Sequence, residues 1–261
     1  MLPLDDPTAL SLLFHLNSEP WLNDDAYRTA PGPQEFKRHD AVLEEVALPA
    51  SPPSALTKLI QQRKSCREFT RTMMPLTHVA ALLNEAYGVA SDPSEAQQHF
   101  LRRSVPSAGG LFPLELYVML RRVEGLADGV YHYDVLAHTL QLMRRGDIFP
   151  LLEPTFYTFP FIVDANLVIA ISAVFLRTQK KYGPRGYRYI LIESGHVGQN
   201  VCLKASELGL ATLCMGGFVD SDLNALLELP AAREGVVYTL AVGYARGMEA
   251  RASSQASHTS L

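Results

Sequence analysis

Helical periodicity is most sustained between Tyr189 and Leu208, where Ile190, Leu191, Ser194, Val197, Val201, Ala205 and Leu208 recur at intervals of three and four residues. Gly209 follows at a place where helices commonly stop. Ser194, Gly198 and Ala205 are small, and Gly195 adds no bulk, so the pattern predicts a buried helix that a neighbouring element approaches closely. Tight core packing and a subunit contact both satisfy it. A glycine inside a helix costs about 1 kcal/mol relative to alanine, so Gly195 and Gly198 point to a gain in packing or backbone approach.

The remaining periodic segments are shorter. Pro52 and Pro53 precede a helical stretch with Leu56, Leu59 and Ile60 on one side. A second helix is predicted with Thr77 as its cap, Val79, Leu82, Leu83 and Ala86 at helical spacing, and Gly88 as its stop. Residues 89 to 105 read as a polar loop. Leu114, Leu116, Val118 and Leu120 alternate as a strand does; Val130–Asp134 and Thr139–Met143 read as a hairpin. Phe156 to Phe161 is aromatic and broken by Pro160; Leu167 to Phe175 reads as a fully buried strand. An acidic helix near Ser221–Leu227 and a last strand at Val236–Val242 complete the body. Three parts result: an arm over 1–50 with an apolar island at Leu10–Leu16 and the sole tryptophan, Trp21; a body over 51–247; and a tail over 248–261 whose composition predicts disorder.

Composition narrows the class. A chain of 261 residues that is 48% hydrophobic can bury a full core, and a formal net charge of -4 offers no overall basic field for nucleic acid. Cys66, Cys202 and Cys214 are too few and too scattered for a disulfide framework or a CxxC zinc site, which fits a reducing cytoplasm. The first ten residues carry acidic side chains where a signal peptide carries basic ones. The apolar run at 165–176 is shorter than the roughly 18 residues of a membrane span.

Arg63, Ser65 and Arg67 alternate, so in an extended segment all three project to one side, two guanidinium forks around a hydroxyl. That suits a phosphate; solvated surface arginines would read the same way. Pro106-Ser107-Ala108-Gly109-Gly110 and Gly216-Gly217 are places where a flat ligand could approach backbone amides, and neither matches a dinucleotide fingerprint or a P-loop. Lys181 and Tyr182 lie in a basic and aromatic cluster with Arg185, Tyr187, Arg188 and Tyr189. A lysine there can act as a general base and a tyrosine can relay a proton; a solvated cationic loop is the alternative. Glu193 and His196 have the spacing of a metal-binding Glu-x-x-His, but a di-iron bundle needs a second such pair, and none is present. A buried, hydrogen-bonded His196 is the expectation.

Three segments, RKSCREF at 63–69, PSAGGLFPLELYV at 106–118 and KYGPRGYRYILIESGHVGQN at 181–200, resemble the nitroreductase-like flavoproteins and, within them, the SagB/ThcOx/McbC group of azoline dehydrogenases. The resemblance covers about residues 50 to 246, and FHLNS at 14–18 is similar to that group's leader segment. It implies an α+β fold with a central antiparallel sheet flanked by helices, a long buried helix, and a homodimer with one FMN at each subunit boundary. Carried over by position, Arg63, Ser65, Arg67 and Arg246 would hold the FMN phosphate and ribityl chain. Ser107 and Gly109 would lie along the isoalloxazine edge, Gly216 or Gly217 would donate amides near the reactive flavin nitrogen, and Lys181 and Tyr182 would be catalytic. The implied activity is dehydrogenation of thiazolines and oxazolines to thiazoles and oxazoles in a peptide or carrier-bound peptide, with a cyclodehydratase or peptide synthetase as partner. The chain is read as lacking the long extra N-terminal domain of some members. The alternatives are an NAD(P)H-dependent nitro- or quinone reductase, against which the Lys-Tyr segment argues, and a non-catalytic, flavin-bearing docking subunit, against which the intact Arg-x-Ser-x-Arg and Lys-Tyr pair argue together.

Overall fold

A computed structural model describes residues 9–18, 36–37, 39, 41–90, 102–230 and 232–246. Trp21, residues 91–101 of the polar loop and the tail at 248–261 lie outside the described residues. The order of elements is α1 (Ala9–Asn17), α2 (Ala55–Gln62), α3 (Leu76–Tyr87), β1 (Leu114–Leu120), β2 (Gly129–Asp134), β3 (Thr139–Arg145), α4 (Phe159–Ile162), β4 (Leu167–Val174), α5 (Phe175–Tyr182), α6 (Arg185–Glu207), β5 (Ala211–Met215), α7 (Asp220–Leu226) and β6 (Glu234–Gly243). The strands form one sheet in the order β3-β2-β1-β4-β6-β5, and every pairing is antiparallel. The α+β expectation holds.

β4 lies inside the sheet and is buried at every position except Val174. Leu167, Ile169, Ile171 and Ala173 enter one apolar cluster, and Val168 and Ala170 enter the other. A strand buried on both faces has no reason to alternate, which is why its sequence is a continuous apolar run. β1 does alternate by face: Leu114, Leu116, Val118 and Leu120 join the first cluster, Tyr117 and Met119 the second. The first face is covered by α3, through Val79, Leu82, Leu83 and Ala86, and by α6, through Ile190, Val197, Val201 and Ala205. The opposite face is covered by Phe149, Leu152, Phe156, Ile162, Phe218, Leu223 and Leu227.

Several local expectations change. The N-cap of α3 is Pro75, already extended at φ −60° and ψ 140°, with no side-chain cap bond; Thr77 falls inside the first turn. Gly88 does end α3, but at φ −66°. A Cβ there would strike the Asn84 backbone oxygen, so the glycine is required for close approach rather than for handedness. The residues Lys180 to Tyr182 are the last turn of a helix, and α6 begins at Arg185, five residues before Ile190, the first of its apolar stripe. β5 is short, has no counterpart in the sequence pattern, and forms one edge of the sheet.

The small residues of α6 have an internal explanation at one position. A Cβ on Gly198 would lie 2.5 Å from Cε1 of Tyr238 on β6, while one on Gly195 would meet nothing within 4 Å. Gly198 therefore lets the helix settle on the sheet. Gly198→Leu should lower the unfolding free energy by about 1 to 3 kcal/mol, the usual cost of overpacking. In urea titrations the loss should be the same at low and high protein concentration; a loss confined to dilute protein would instead place Gly198 in a subunit contact.

Candidate active site

Two groups of side chains emerge, the first placed by backbone pairing of residues 65–70 with the sheet and the second by side-chain hydrogen bonds to Glu193. Arg63 closes α2, its N–H donating to the Leu59 carbonyl at 3.1 Å, and leaves the helix at φ −59° and ψ 123°. The chain then runs along the sheet edge: Ser65 bridges Thr212 in parallel, and the Cys66 N–H donates to the Thr212 carbonyl at 2.8 Å. Further on, Phe69 bridges Ala245 antiparallel and the Thr70 N–H reaches the Tyr244 carbonyl at 2.8 Å. The segment thus spans from β5 to the end of β6, and Arg246 arrives beside it. Arg63, Ser65, Arg67 and Arg246 line one cleft of about 690 Å³, together with Lys58, Lys64, Cys202 and Thr212. The Arg67 guanidinium also sits 5.9 Å from the Phe161 ring centroid, a cation–π arrangement.

The second group surrounds Glu193. This residue is 2% exposed, and its carboxylate accepts the Tyr87 hydroxyl at 2.8 Å and the Ser107 hydroxyl at 2.5 Å. Ser107 Oγ accepts the Phe112 N–H at 2.9 Å, so the 107–112 loop is closed on itself and on α6. At its apex Gly109 has φ 66°, in the left-handed region that favours glycine. A Cβ there would lie 2.7 Å from Tyr182 Oη and 2.9 Å from Lys181 Nζ. Ser107, Gly109, Lys181 and Tyr182 therefore form one neighbourhood, and none of them lines the arginine cleft. Gly216 and Gly217 follow β5, where a Cβ on either would meet nothing within 4 Å.

Burial pushes the Glu193 carboxyl above its ordinary value, against the lowering effects of Ser107, Tyr87 and Arg103. Burial also raises Tyr87, and the Glu193 charge adds to it. The Arg103 guanidinium lies 4.4 Å from the Tyr87 ring centroid and 4.9 Å from that of Phe112. Tyr87 and Arg103 have no motif to mark them; Tyr87 reads in sequence only as the apolar end of α3. His196, expected to be buried, is exposed. Three residues along a helix is a rotation of about 300°, enough to carry His196 past the edge of the buried arc that holds Glu193.

A family model described as the nitroreductase family matches residues 60–244, and the chain belongs to that family. Its class is accordingly that of the nitroreductase-fold oxidoreductases. It is 35% identical over 185 residues to a Methanocaldococcus jannaschii protein named for the nitroreductases, covering 71% of this chain and 90% of that one. With the microcin B17-processing protein McbC of Escherichia coli it shares 29% identity over 145 residues, 49% of this chain and 49% of McbC, so it spans about half of that relative. Its fold matches a chain of the Escherichia coli microcin synthetase McbBCD complex with truncated pro-MccB17 bound, at TM-score 0.66 and 22% identity, over 91% of this chain and 92% of that one.

The raised Glu193 carboxyl has a measurable sign. Stability tied to its protonated form is present below the ordinary carboxylate range and is lost as pH rises through the raised folded value. Glu193→Gln removes that loss. The stability difference, variant minus wild type, should therefore grow with pH across this window and flatten above it, in urea denaturation at a series of pH values. A difference independent of pH would show that Glu193 titrates normally.

Proposed function

We propose that this protein is an FMN-dependent dehydrogenase that converts thiazoline or oxazoline rings in a peptide to thiazole or oxazole, acting as a homodimer. The observation that carries the reading is the approach of Lys181 Nζ and Tyr182 Oη to the side-chain-free backbone of Gly109. A base and a proton relay are thus held side by side against the 107–112 loop, in the space a side chain at 109 would take. The similarity to McbC, and the presence of a synthetase complex with a bound propeptide among proteins of this fold, support a peptide substrate and a synthetase partner.

The cleft residues fit FMN. Its volume lies within the range of cofactor pockets, and Arg63, Arg67 and Arg246 with Ser65 offer the charge-assisted donors that a phosphate and ribityl chain require. Gly216 and Gly217 lie where even a Cβ would meet nothing within 4 Å, which leaves room for the ring edge to approach. Ser107 has its hydroxyl engaged with Glu193 and Phe112, so its part is to hold the loop that presents Gly109. FMN, when bound, supplies the two-electron acceptor. Lys181 removes the acidic proton from the ring carbon beside the carbonyl, and Tyr182 orients or relays it. Aromatisation then releases the neighbouring C–H bonding pair.

Because the phosphate-type cleft and the Lys-Tyr group are separate within one chain, the reading assigns them to the two sides of a subunit boundary. Leu191 and Ile192 on α6 and Leu56 and Ile60 on α2 are exposed and supply apolar contact for a second copy.

Purified protein should be yellow and release FMN on denaturation, and Arg67→Ala should weaken FMN retention about tenfold to a hundredfold, the worth of one charge-assisted contact. Colourless protein that takes up no added FMN defeats the cofactor assignment. Lys181→Ala and Tyr182→Phe should keep FMN yet slow anaerobic flavin bleaching by a thiazoline peptide by about a hundredfold or more; Lys180→Ala should not. Rapid bleaching by NAD(P)H alone would favour a reductase. At an FMN concentration too low to load Arg67→Ala, mixed dimers of Arg67→Ala and Lys181→Ala chains should bleach faster than either parent, and mixtures no faster than their parents would rule out a shared site.

A further inference from the structure

Two thiols meet at the wall of the arginine cleft. Cys202 on α6 and Cys214 on β5 hold their sulfur atoms 3.5 Å apart. Gly209, at φ 69°, turns the chain from α6 into β5, and strand alternation puts Thr212 and Cys214 on one face. Thr212 Oγ1 lies 3.5 Å from Cys202 Sγ as a donor, so that face is the one packed by α6. Cys202 is buried and Cys214 is exposed, an asymmetry that leaves one sulfur open to attack and the other behind it. Cys66, the third cysteine, donates to the Glu68 carbonyl at 3.2 Å and is engaged elsewhere.

We propose that Cys202 and Cys214 form a reversible dithiol–disulfide site that exchanges with low-molecular-weight disulfides, with Cys214 attacking and Cys202 resolving. Bonding distance is about 2 Å, so side-chain rotation must close only a short gap between sulfurs that already touch. Hydrogen bonds from the Cys202 thiol and the Tyr238 hydroxyl hold Cys214 down to about 6, whereas the same thiol contact and burial push Cys202 up. The direction of these effects agrees with the exposure, which makes Cys214 the sulfur a small disulfide can reach, and the thiolate is the nucleophile in exchange.

The chemistry balances with one external disulfide. Cys214 thiolate attacks one of its sulfurs and expels a small thiolate, leaving a mixed disulfide on Cys214. Cys202 gives its proton to that thiolate, attacks the Cys214 sulfur and expels the second small thiolate. Two protein thiols are oxidised and one small disulfide is reduced to two thiols. Since Cys202 and Thr212 both line the arginine cleft, the bond would form in its wall.

The test is a cysteine map of the full chain after exposure to oxidised glutathione, with remaining thiols alkylated in denaturant. Of the three cysteines, only Cys66 should remain alkylatable, the peptides carrying Cys202 and Cys214 should be joined, and a dithiol reductant should restore all three. Cys66→Ser should keep the link, and Cys202→Ser should trap glutathione on Cys214. Three alkylatable thiols, a stable glutathione adduct on wild-type Cys214, or a link through Cys66 would each overturn the proposal. The wild-type map decides the matter without any variant having to fold.

Discussion

A carboxyl carried into the interior by α6 sets the terms for the half of this molecule built around Gly109. Burying a charge costs several kcal/mol unless its lone pairs are taken, and Glu193 has its lone pairs taken from two different parts of the chain. Tyr87 comes from the last turn of α3 and Ser107 from the loop before β1. Each of these hydroxyls also accepts a backbone N–H, from Leu114 at 3.3 Å and from Phe112 at 2.9 Å. One buried acid thus holds a helix, a loop and the start of a strand in register. The loop so held carries Gly109, which lies against Lys181 and Tyr182. Loss of either hydroxyl would leave an under-satisfied charge, which is more costly than the loss of a neutral hydrogen bond.

The cleft depends on a different constraint, the unpaired edge of β5. An open strand edge recruits any extended segment that can match it, and here it takes residues 65 and 66 of its own chain. The same run then pairs beyond β6, so a single stretch of backbone collects Arg63, Ser65 and Arg67 and meets Arg246. Five cationic side chains, from Lys58, Arg63, Lys64, Arg67 and Arg246, share that space with the acids Glu68 and Glu207. In a chain of net charge -4 this is a local reversal of sign, which favours an anionic ligand group there and nowhere implies a general attraction for polyanions.

Much of this was legible in the residues. The buried strand at 167–174, the hairpin, α3 and the long helix follow from periodicity because their contacts are with one face or with both, and each case leaves its own pattern. The alternation of Arg63, Ser65 and Arg67 already specified which side chains would act together if the segment were extended. What made it extended was the edge of β5, five residues too short to announce themselves. Tyr87 was indistinguishable from a core aromatic until a carboxylate 106 positions away reached its hydroxyl.

Local spacing therefore determined which residues share a face and which segments are helix or strand. Tertiary structure alone decided which of those faces meet. It turned Gly198 toward Tyr238 rather than toward solvent, left His196 outside, brought Lys181 and Tyr182 to Gly109, and closed Cys202 onto Cys214. The physical reason is that periodicity records the environment of a residue, buried or wet, while the identity of its neighbour depends on how the sheet stacks its helices, and that information is spread over the whole chain.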